Sequence, residues 1–164
     1  MKLIPLTQGQ FAIVDDIDFI KFGRFSWRAM WSKNTGSFYA IRSAILNGKK
    51  VTLLLHREVL GLKRSSHAKG DHKDHDTLDC RRRNLRPATN SQNQSNRRMQ
   101  VNNTSGARGV CWDKSRSRWH AKIKVNMKTL NLGRFRAKAS AVRAYSDANQ
   151  KYFGKFGGQK IGRK

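Results

Sequence analysis

The chain is poor in acidic residues and in long apolar runs. It has 164 residues, of which 35 are Lys or Arg and only 10 are Asp or Glu, so its net charge is +25. A charge of this size is most simply balanced by a polyanion, and nucleic acid is the first candidate. A membrane surface is the competing polyanion, but no apolar run approaches the roughly 20 residues of a spanning helix.

Two further absences bear on the compartment and on redox chemistry. Residues 1–5 lack the apolar core of a signal peptide. We therefore expect a cytoplasmic protein. We also expect it to bind neither a membrane nor an organic cofactor. The two cysteines, Cys80 and Cys111, are too few for a disulfide framework and are predicted to be free thiols. The length allows one ordinary domain, or two to three small ones with modest cores.

The scarce carboxylates are concentrated in one segment. Four of the ten acidic residues fall within nine consecutive positions, namely Asp71, Asp74, Asp76 and Asp79. Carboxylates packed this closely repel one another, and a hard cation such as Mg²⁺ relieves the repulsion. The alternative is that they cap turns and pair with the arginines at 81–83. A structural zinc site is a weaker alternative, because its four possible ligands do not have a common finger spacing: His67, His72, His75 and Cys80.

A helix start follows this acidic segment. Thr89 is followed three residues later by Gln92, which is the spacing of a capping box, and Pro87 precedes it. The pattern predicts a helix that carries Asn93 on its first turn.

The same segment resembles the phage-type HNH homing endonucleases. The resemblance covers residues 50–96 and rests on four ordered motifs, Asp71-His72, Leu78-Asp79, Arg81-Arg82-x-Asn84-Leu85-Arg86 and Ala88-Thr89-x-Ser91-Gln92-Asn93. Twelve residues separate His72 from Asn84, and nine more lead to Asn93. The family's fold is a two-stranded hairpin followed by a helix, with a metal ion held between them.

The resemblance also implies roles for single residues. His72 would be the general base, Asp71 and Asn93 would hold one Mg²⁺ or Mn²⁺ ion, and Asn84 would fix the loop carrying His72 by hydrogen bonds. Arg86 would contact phosphate. His56 is expected to be either a supporting residue of the site or simply packed. Asp74 and His75 stand where relatives usually have Asn and Gly, so no role is assigned to them.

The region before the acidic segment is predicted to be an antiparallel β region. Short apolar and β-branched stretches alternate with turns at Gln8-Gly9, at 34–36 and at Asn47-Gly48. A short helix is expected over 16–22, and another over 56–61. Four aromatic residues are predicted to be core rather than base-stacking, namely Trp27, Trp31, Phe38 and Tyr39. This extension, residues 1–55, would brace the nuclease hairpin.

The chain after residue 97 has a different composition. Residues 97–105 resemble a linker, and residues 97–164 contain 18 Lys or Arg against only Asp113 and Asp147, a net charge of +16. Residues 118–125 alternate between polar and apolar, which predicts a strand. Its inward side chains would be Trp119, Ala121, Ile123 and Val125, and its outward ones Arg118, His120, Lys122 and Lys124. Flanking strands are expected at 109–112 and 129–135.

A helix over 137–153 is predicted to cover this sheet. Its apolar stripe comprises Ala141, Val142, Ala144, Tyr145, Ala148 and Tyr152, and Gly154 would end it.

This part of the chain resembles the Apetala or ethylene-response-factor type of DNA-binding domain. The resemblance covers residues 104–157 and rests on S-G-A-R-G-V, R-W-H-A-K-I, L-G-R-F and A-V-R-A-Y-S-D-A. It implies that the sheet enters the major groove of DNA. The implied contact residues are Arg108, Gly109, Arg116, Arg118, Lys122 and Lys124. Lys122 and Asn131 depart from the plant pattern, so the plant target sequence is not carried over.

Together these patterns predict an α+β protein in five parts. They are a β-rich extension (1–55), an HNH core of ββα-metal type (56–96), a linker (97–105), a three-stranded antiparallel sheet packed on one helix (106–157) and a basic tail (158–164). The expected function is site-specific cleavage of double-stranded DNA by a monomer or weak dimer, in the host cytoplasm for a phage-encoded protein. The alternatives are a non-catalytic DNA-binding regulator that uses the HNH fold as a scaffold, and an RNA-binding structural protein.

Overall fold

The computed structural model describes residues 1–99 and 102–157. It confirms an α+β protein with antiparallel sheets, and it divides the chain into two compact units, Met1–Thr89 and Asn90–Lys164. The predicted basic tail, 158–164, lies outside the described residues. Within 1–99 and 102–157, no helix combines the length and the apolar character needed to cross a bilayer.

The first unit contains seven strands and two short helices. The strands are β1 (Lys2–Pro5), β2 (Phe11–Val14), β3 (Arg28–Ser32), β4 (Ser37–Leu46), β5 (Lys49–Leu54), β6 (Lys69–His72) and β7 (Leu85–Ala88). The helices are α1 (Asp16–Phe22) and α2 (Leu55–Val59). β1 pairs with β2, β3 to β5 form a sheet in chain order, and β6 pairs with β7. The antiparallel β region and the helix at 16–22 are confirmed.

One hydrophobic core joins the predicted extension to the predicted nuclease hairpin. Ile4, Val14 and Leu55 come from the first 55 residues and pack in the same cluster as Cys80 and Leu85. All five side chains are buried, at no more than 3% exposure. The structure therefore shows a single unit across the expected boundary at residue 55.

Strand β2 also binds the loop between β6 and β7 through its backbone. The amide of Ile13 donates to the carbonyl oxygen of Leu78 at 2.9 Å, and the amide of Cys80 donates to the carbonyl oxygen of Ile13 at 2.8 Å. The N-terminal hairpin thus braces the loop that follows His72.

The four aromatic residues of this unit are not all core. Trp27 is buried and its indole N–H donates to the Phe22 carbonyl oxygen at 2.9 Å. Trp31 is 52% exposed, so its assignment to the core was wrong. It lies on β3, an edge strand, where it contacts the ring of Phe38 edge-on with centroids 4.9 Å apart. Phe38 and Tyr39 are half-buried.

The second unit begins with helix α3 (Asn90–Asn96), which the sequence had grouped with the nuclease core. Strands β8 (Val110–Asp113), β9 (Arg118–Val125) and β10 (Lys128–Phe135) form a sheet in the order β10-β9-β8. Helix α4 (Lys138–Phe153) packs against one face of this sheet. The predicted sheet of three strands covered by one helix is confirmed.

The alternation along β9 is also confirmed. Ala121 and Ile123 are buried at 0% and 3% exposure, whereas Lys122 and Lys124 are exposed. The apolar stripe of α4 differs from the prediction in its last turn, since Tyr152 is 42% exposed and Phe153 is buried. Phe153 follows the buried Asn149 by four residues, so the covered face is continued by this pair.

Candidate active site

The candidate active site of the first unit is built on the hairpin β6–β7. In its register Asp71 is opposite Arg86 and His72 is opposite Leu85. Successive strand residues point to opposite faces, so the two candidate residues have different surroundings. The Nε atom of Arg86 donates to Oδ2 of Asp71 at 2.7 Å, and both side chains are largely buried.

Asn84 holds the loop that joins the two strands, residues 73–84. Its side-chain oxygen accepts from the amide of Asp74 at 3.1 Å, and its side-chain nitrogen donates to the carbonyl oxygen of Asp79 at 2.9 Å. Its own carbonyl oxygen accepts from the amide of Lys73 at 2.9 Å. Asn84 is 5% exposed, so these bonds are shielded from water. The contacts are those expected of a residue that fixes this loop.

The other carboxylates of the loop stabilise turns. Asp74 accepts from the amide of Asp76 at 2.9 Å, and Asp76 accepts from the amide of Leu78 at 3.1 Å. His75 adopts a φ of 68°, in the left-handed region that glycine favours. The turn-capping alternative therefore describes Asp74 and Asp76.

Asp79 forms a two-point ion pair with Arg81. Nε of Arg81 donates to Oδ1 of Asp79 at 2.8 Å, and a second guanidinium nitrogen binds Oδ2. The hydrogen bonds from Arg81 lower the pKa of the Asp79 carboxyl below its usual value, although burial opposes them. Asp79 and Arg81 thus form a pair of the kind that the alternative to a metal site predicted for the acidic segment.

The four possible zinc ligands do not converge. Cys80 is 1% exposed in the hydrophobic core, and burial raises the pKa of its thiol well above its ordinary value. His67 is exposed. Across the described parts of the chain, no three His, Cys, Asp or Glu side chains are grouped so that they could hold a metal ion. The geometry gives no support to the structural zinc alternative.

His72 lies in a cluster of aromatic rings with His56 and Tyr39. The ring centroids of His56 and His72 are 4.9 Å apart, and that of Tyr39 is 5.8 Å from the first and 6.2 Å from the second. Both histidines are 6% exposed. His56 is therefore a packed residue that contacts the candidate base directly.

Burial sets the protonation of both histidines. It lowers the pKa of His56 to about 3, with additional repulsion from His72 and Arg57. It also lowers the pKa of His72, although the nearby carboxylates, Asp71 first, act in the opposite direction. Both imidazoles are neutral near pH 7.

Gly70 makes the contact of His56 with the hairpin possible. A Cβ atom at this position would overlap Cδ2 of His56 and would lie 3.4 Å from Cδ1 of Leu60. Sequence reasoning missed this requirement. A glycine directly before Asp71-His72 was the available signal.

Asn93, the other expected metal ligand, lies on α3 and is half-buried. It belongs to the second unit, whereas Asp71 and His72 belong to the first.

The second unit carries most of the predicted DNA contacts. Arg118, His120, Lys122 and Lys124 project from the side of β9 opposite to α4, and we call these four residues the cationic face. Nε2 of His120 lies 3.0 Å from Oδ1 of Asn131 on the neighbouring strand. Arg116 is exposed and forms a 3.6 Å ion pair with Asp113.

Arg108 and Gly109 have structural contacts that the sequence did not reveal. A guanidinium nitrogen of Arg108 donates to the carbonyl oxygen of Ser95. Gly109 has a φ of 66°, and a Cβ atom there would overlap the ring of Tyr145. Close packing therefore accounts for this glycine without a DNA contact.

A comparison with models of known protein families found no match. A comparison with curated proteins found none either.

Proposed function

We propose that the chain is a metal-dependent DNA endonuclease of the HNH type, and that its second unit binds the DNA. The observation that carries the proposal is the hairpin β6–β7. Asp71 and His72 end its first strand, Asn84 locks the loop, and the helix that carries Asn93 follows the second strand. This is the order of strand, strand and helix that the nuclease resemblance implies.

His72 is suited to accept a proton. A general base must be unprotonated at the working pH, and burial lowers the pKa of His72 so that its imidazole is neutral near pH 7. In the proposed reaction a ring nitrogen of His72 takes the proton of the attacking water. Asn84 keeps the loop after His72 in place, and the His56 ring supports one side of the imidazole.

The resemblance assigns two oxygen donors to a hard divalent ion. Asp71 and Asn93 offer a carboxylate and an amide oxygen, and Mg²⁺ commonly takes one or two such ligands together with phosphate oxygens and water. When bound, such an ion would neutralise the developing charge on the departing 3′ oxygen. The hydrogen bond from Arg86 orients the carboxylate of Asp71.

The non-catalytic regulator is the second candidate, and one observation favours it. The carboxylate of Asp71 is engaged in a buried ion pair with Arg86, a contact that a purely structural hairpin would also use. In a nuclease, Asp71 would therefore have to hold the metal ion while still paired with Arg86, or the ion pair would have to break when DNA binds.

A plasmid-nicking assay separates the candidates. We expect the full-length protein to nick supercoiled DNA with Mg²⁺ and to stop when EDTA is added, while circular dichroism shows no unfolding. DNA binding without cleavage at any Mg²⁺ or Mn²⁺ concentration would support the regulator. Preferential binding of RNA would support the structural RNA-binding alternative.

A further inference from the structure

The second unit contains a cleft that the proposed nuclease site does not use. It has a volume of about 480 Å³ and is lined by residues from the end of α3, from 97–99 and 102–109, and from the start of β8. Three arginines line it, namely Arg97, Arg98 and Arg108, together with polar side chains such as Asn102 and Thr104. We call it the arginine cleft. None of the described residues that line it is acidic.

The wall of the cleft is held in place by buried contacts. Arg108 binds the carbonyl oxygen of Ser95, and the hydroxyl of Ser95 donates to Oδ1 of Asn149 on α4 at 2.9 Å. Both Ser95 and Asn149 are buried. On the other rim, the side-chain nitrogen of Asn103 donates to the carbonyl oxygen of Ala107 at 3.1 Å. The guanidinium of Arg108 is thus positioned before any ligand binds.

Neither aspartate of the second unit lines the cleft. Asp113 is at the far end of β8, where Nε of Arg134 donates to it at 2.8 Å, and Asp147 is on α4. The described lining therefore offers three guanidinium groups and no carboxylate, and guanidinium groups bind phosphate oxygens well.

The cleft is continuous with the cationic face. Cys111 lines the cleft, and in the sheet register it is directly opposite His120, a member of that face. Residues opposite each other in a sheet share a face. A polyanion that follows the cationic face past Cys111 would therefore enter the cleft.

We propose that the arginine cleft binds a backbone phosphate of duplex DNA and extends the DNA path beyond the sheet. The inference rests on the proposed DNA binding by the second unit, and it adds Arg97 and Arg98 to the contact residues. Guanidinium groups bind phosphate oxygens in pairs, and such contacts position the protein on DNA without reading its sequence.

The salt dependence of DNA affinity tests the cleft. We compare full-length Arg97→Gln/Arg98→Gln with Arg143→Gln/Lys151→Gln, a control that removes the same charge from exposed positions on α4. With a mixed-sequence DNA duplex, the cleft variant should flatten the slope of log K against log salt by about 0.9 for each phosphate that it no longer neutralises. The control should keep the wild-type slope. Equal slopes in the two variants would overturn the proposal.

Cys111 provides a second readout, because Cys80 is buried and only Cys111 is exposed to alkylation. Saturating duplex should slow the alkylation of Cys111 in the wild type and in the α4 control, and should slow it less in the cleft variant. Equal protection in all three proteins would place the DNA on the sheet alone and would overturn the proposal that the arginine cleft binds phosphate. Equal protection by inorganic phosphate would make the cleft a small-anion site, and stronger protection by single-stranded RNA would also overturn the assignment.

The two proposals fail separately. If the wild type and the variants bind the duplex with the expected slopes but the wild type never cuts it, the proposed nuclease activity is overturned and the phosphate-binding role of the cleft stands. A wild type that cuts DNA while the cleft variant keeps the full slope would overturn only the cleft.

Discussion

At the scale of single residues, several of the scarce carboxylates hold arginines in place. Arg82 donates to both oxygens of Asp18 at 2.7 and 2.8 Å, and Asp18 is 1% exposed. Asp79–Arg81 repeats this two-oxygen arrangement near the hairpin, and Asp71 accepts from Nε of Arg86 through one oxygen. Removing one partner of such a buried pair leaves an uncompensated charge, so each pair constrains the geometry of the site.

The buried His56 should make the folded protein sensitive to acid. Its pKa is about 3 in the folded chain against an ordinary value of 6.5, so between these pH values only the unfolded chain binds the proton. Stability is therefore retained above pH 6.5 and is lost as the pH falls toward 3, at up to about 1.4 kcal/mol per pH unit. Urea unfolding of the wild type and of His56→Gln at several pH values measures this. The variant should show the shallower loss, and parallel curves would contradict the account.

Gly70 should tolerate no side chain while His56 is present. Gly70→Ala places a methyl group against Cδ2 of His56, and such overpacking typically costs about 1–3 kcal/mol of unfolding free energy. The double variant Gly70→Ala/His56→Ala is the matched control, because it removes the group that the methyl would meet. It should be less destabilised than the sum of the two single variants. Strict additivity would show that the two residues do not interact.

At the scale of elements, the second unit could be predicted closely because its periodicities are strong. The alternation from Arg118 to Val125 predicted β9 and its two faces, and the spacing of small residues predicted α4. The departures are at ends and edges. Trp31 is exposed on an edge strand, and Tyr152 leaves the covered face in the last helical turn, because neighbouring elements decide burial there.

The two faces of β9 should separate stability from DNA affinity. Ile123→Ala should lower the unfolding free energy by about 2–5 kcal/mol, because it deletes a buried side chain from the core. Lys124→Ala, on the exposed face, should change stability by less than about 0.5 kcal/mol while weakening the binding of duplex DNA. Denaturant unfolding and fluorescence anisotropy measure the two effects. Weaker DNA binding by a fully folded Ile123→Ala alone would reverse the assignment of the faces.

At the scale of the whole molecule, the sequence predicted the parts of the chain better than their grouping. The first 55 residues and the hairpin share a core, and α3 groups with the second unit. Such pairings depend on contacts between residues far apart in the chain, for example Ile13 with Leu78, that no local pattern records. The same holds for the site, where the motif indicated His72 and Asn84 but not the contacts of Gly70 or Tyr39.

The central claim is that His72 is the base of a nuclease, and single-turnover cleavage by His72→Ala tests it most directly. His67→Ala is the matched control, because His67 is exposed and lies outside the hairpin. A positioned general base contributes about 10²–10⁴-fold to the rate. We expect His72→Ala to lose that factor in Mg²⁺-dependent nicking at a temperature where circular dichroism shows that it is folded, while its DNA affinity stays close to that of His67→Ala. A cleavage rate of folded His72→Ala within about tenfold of the control would contradict the account, because the loss would be smaller than a general base contributes.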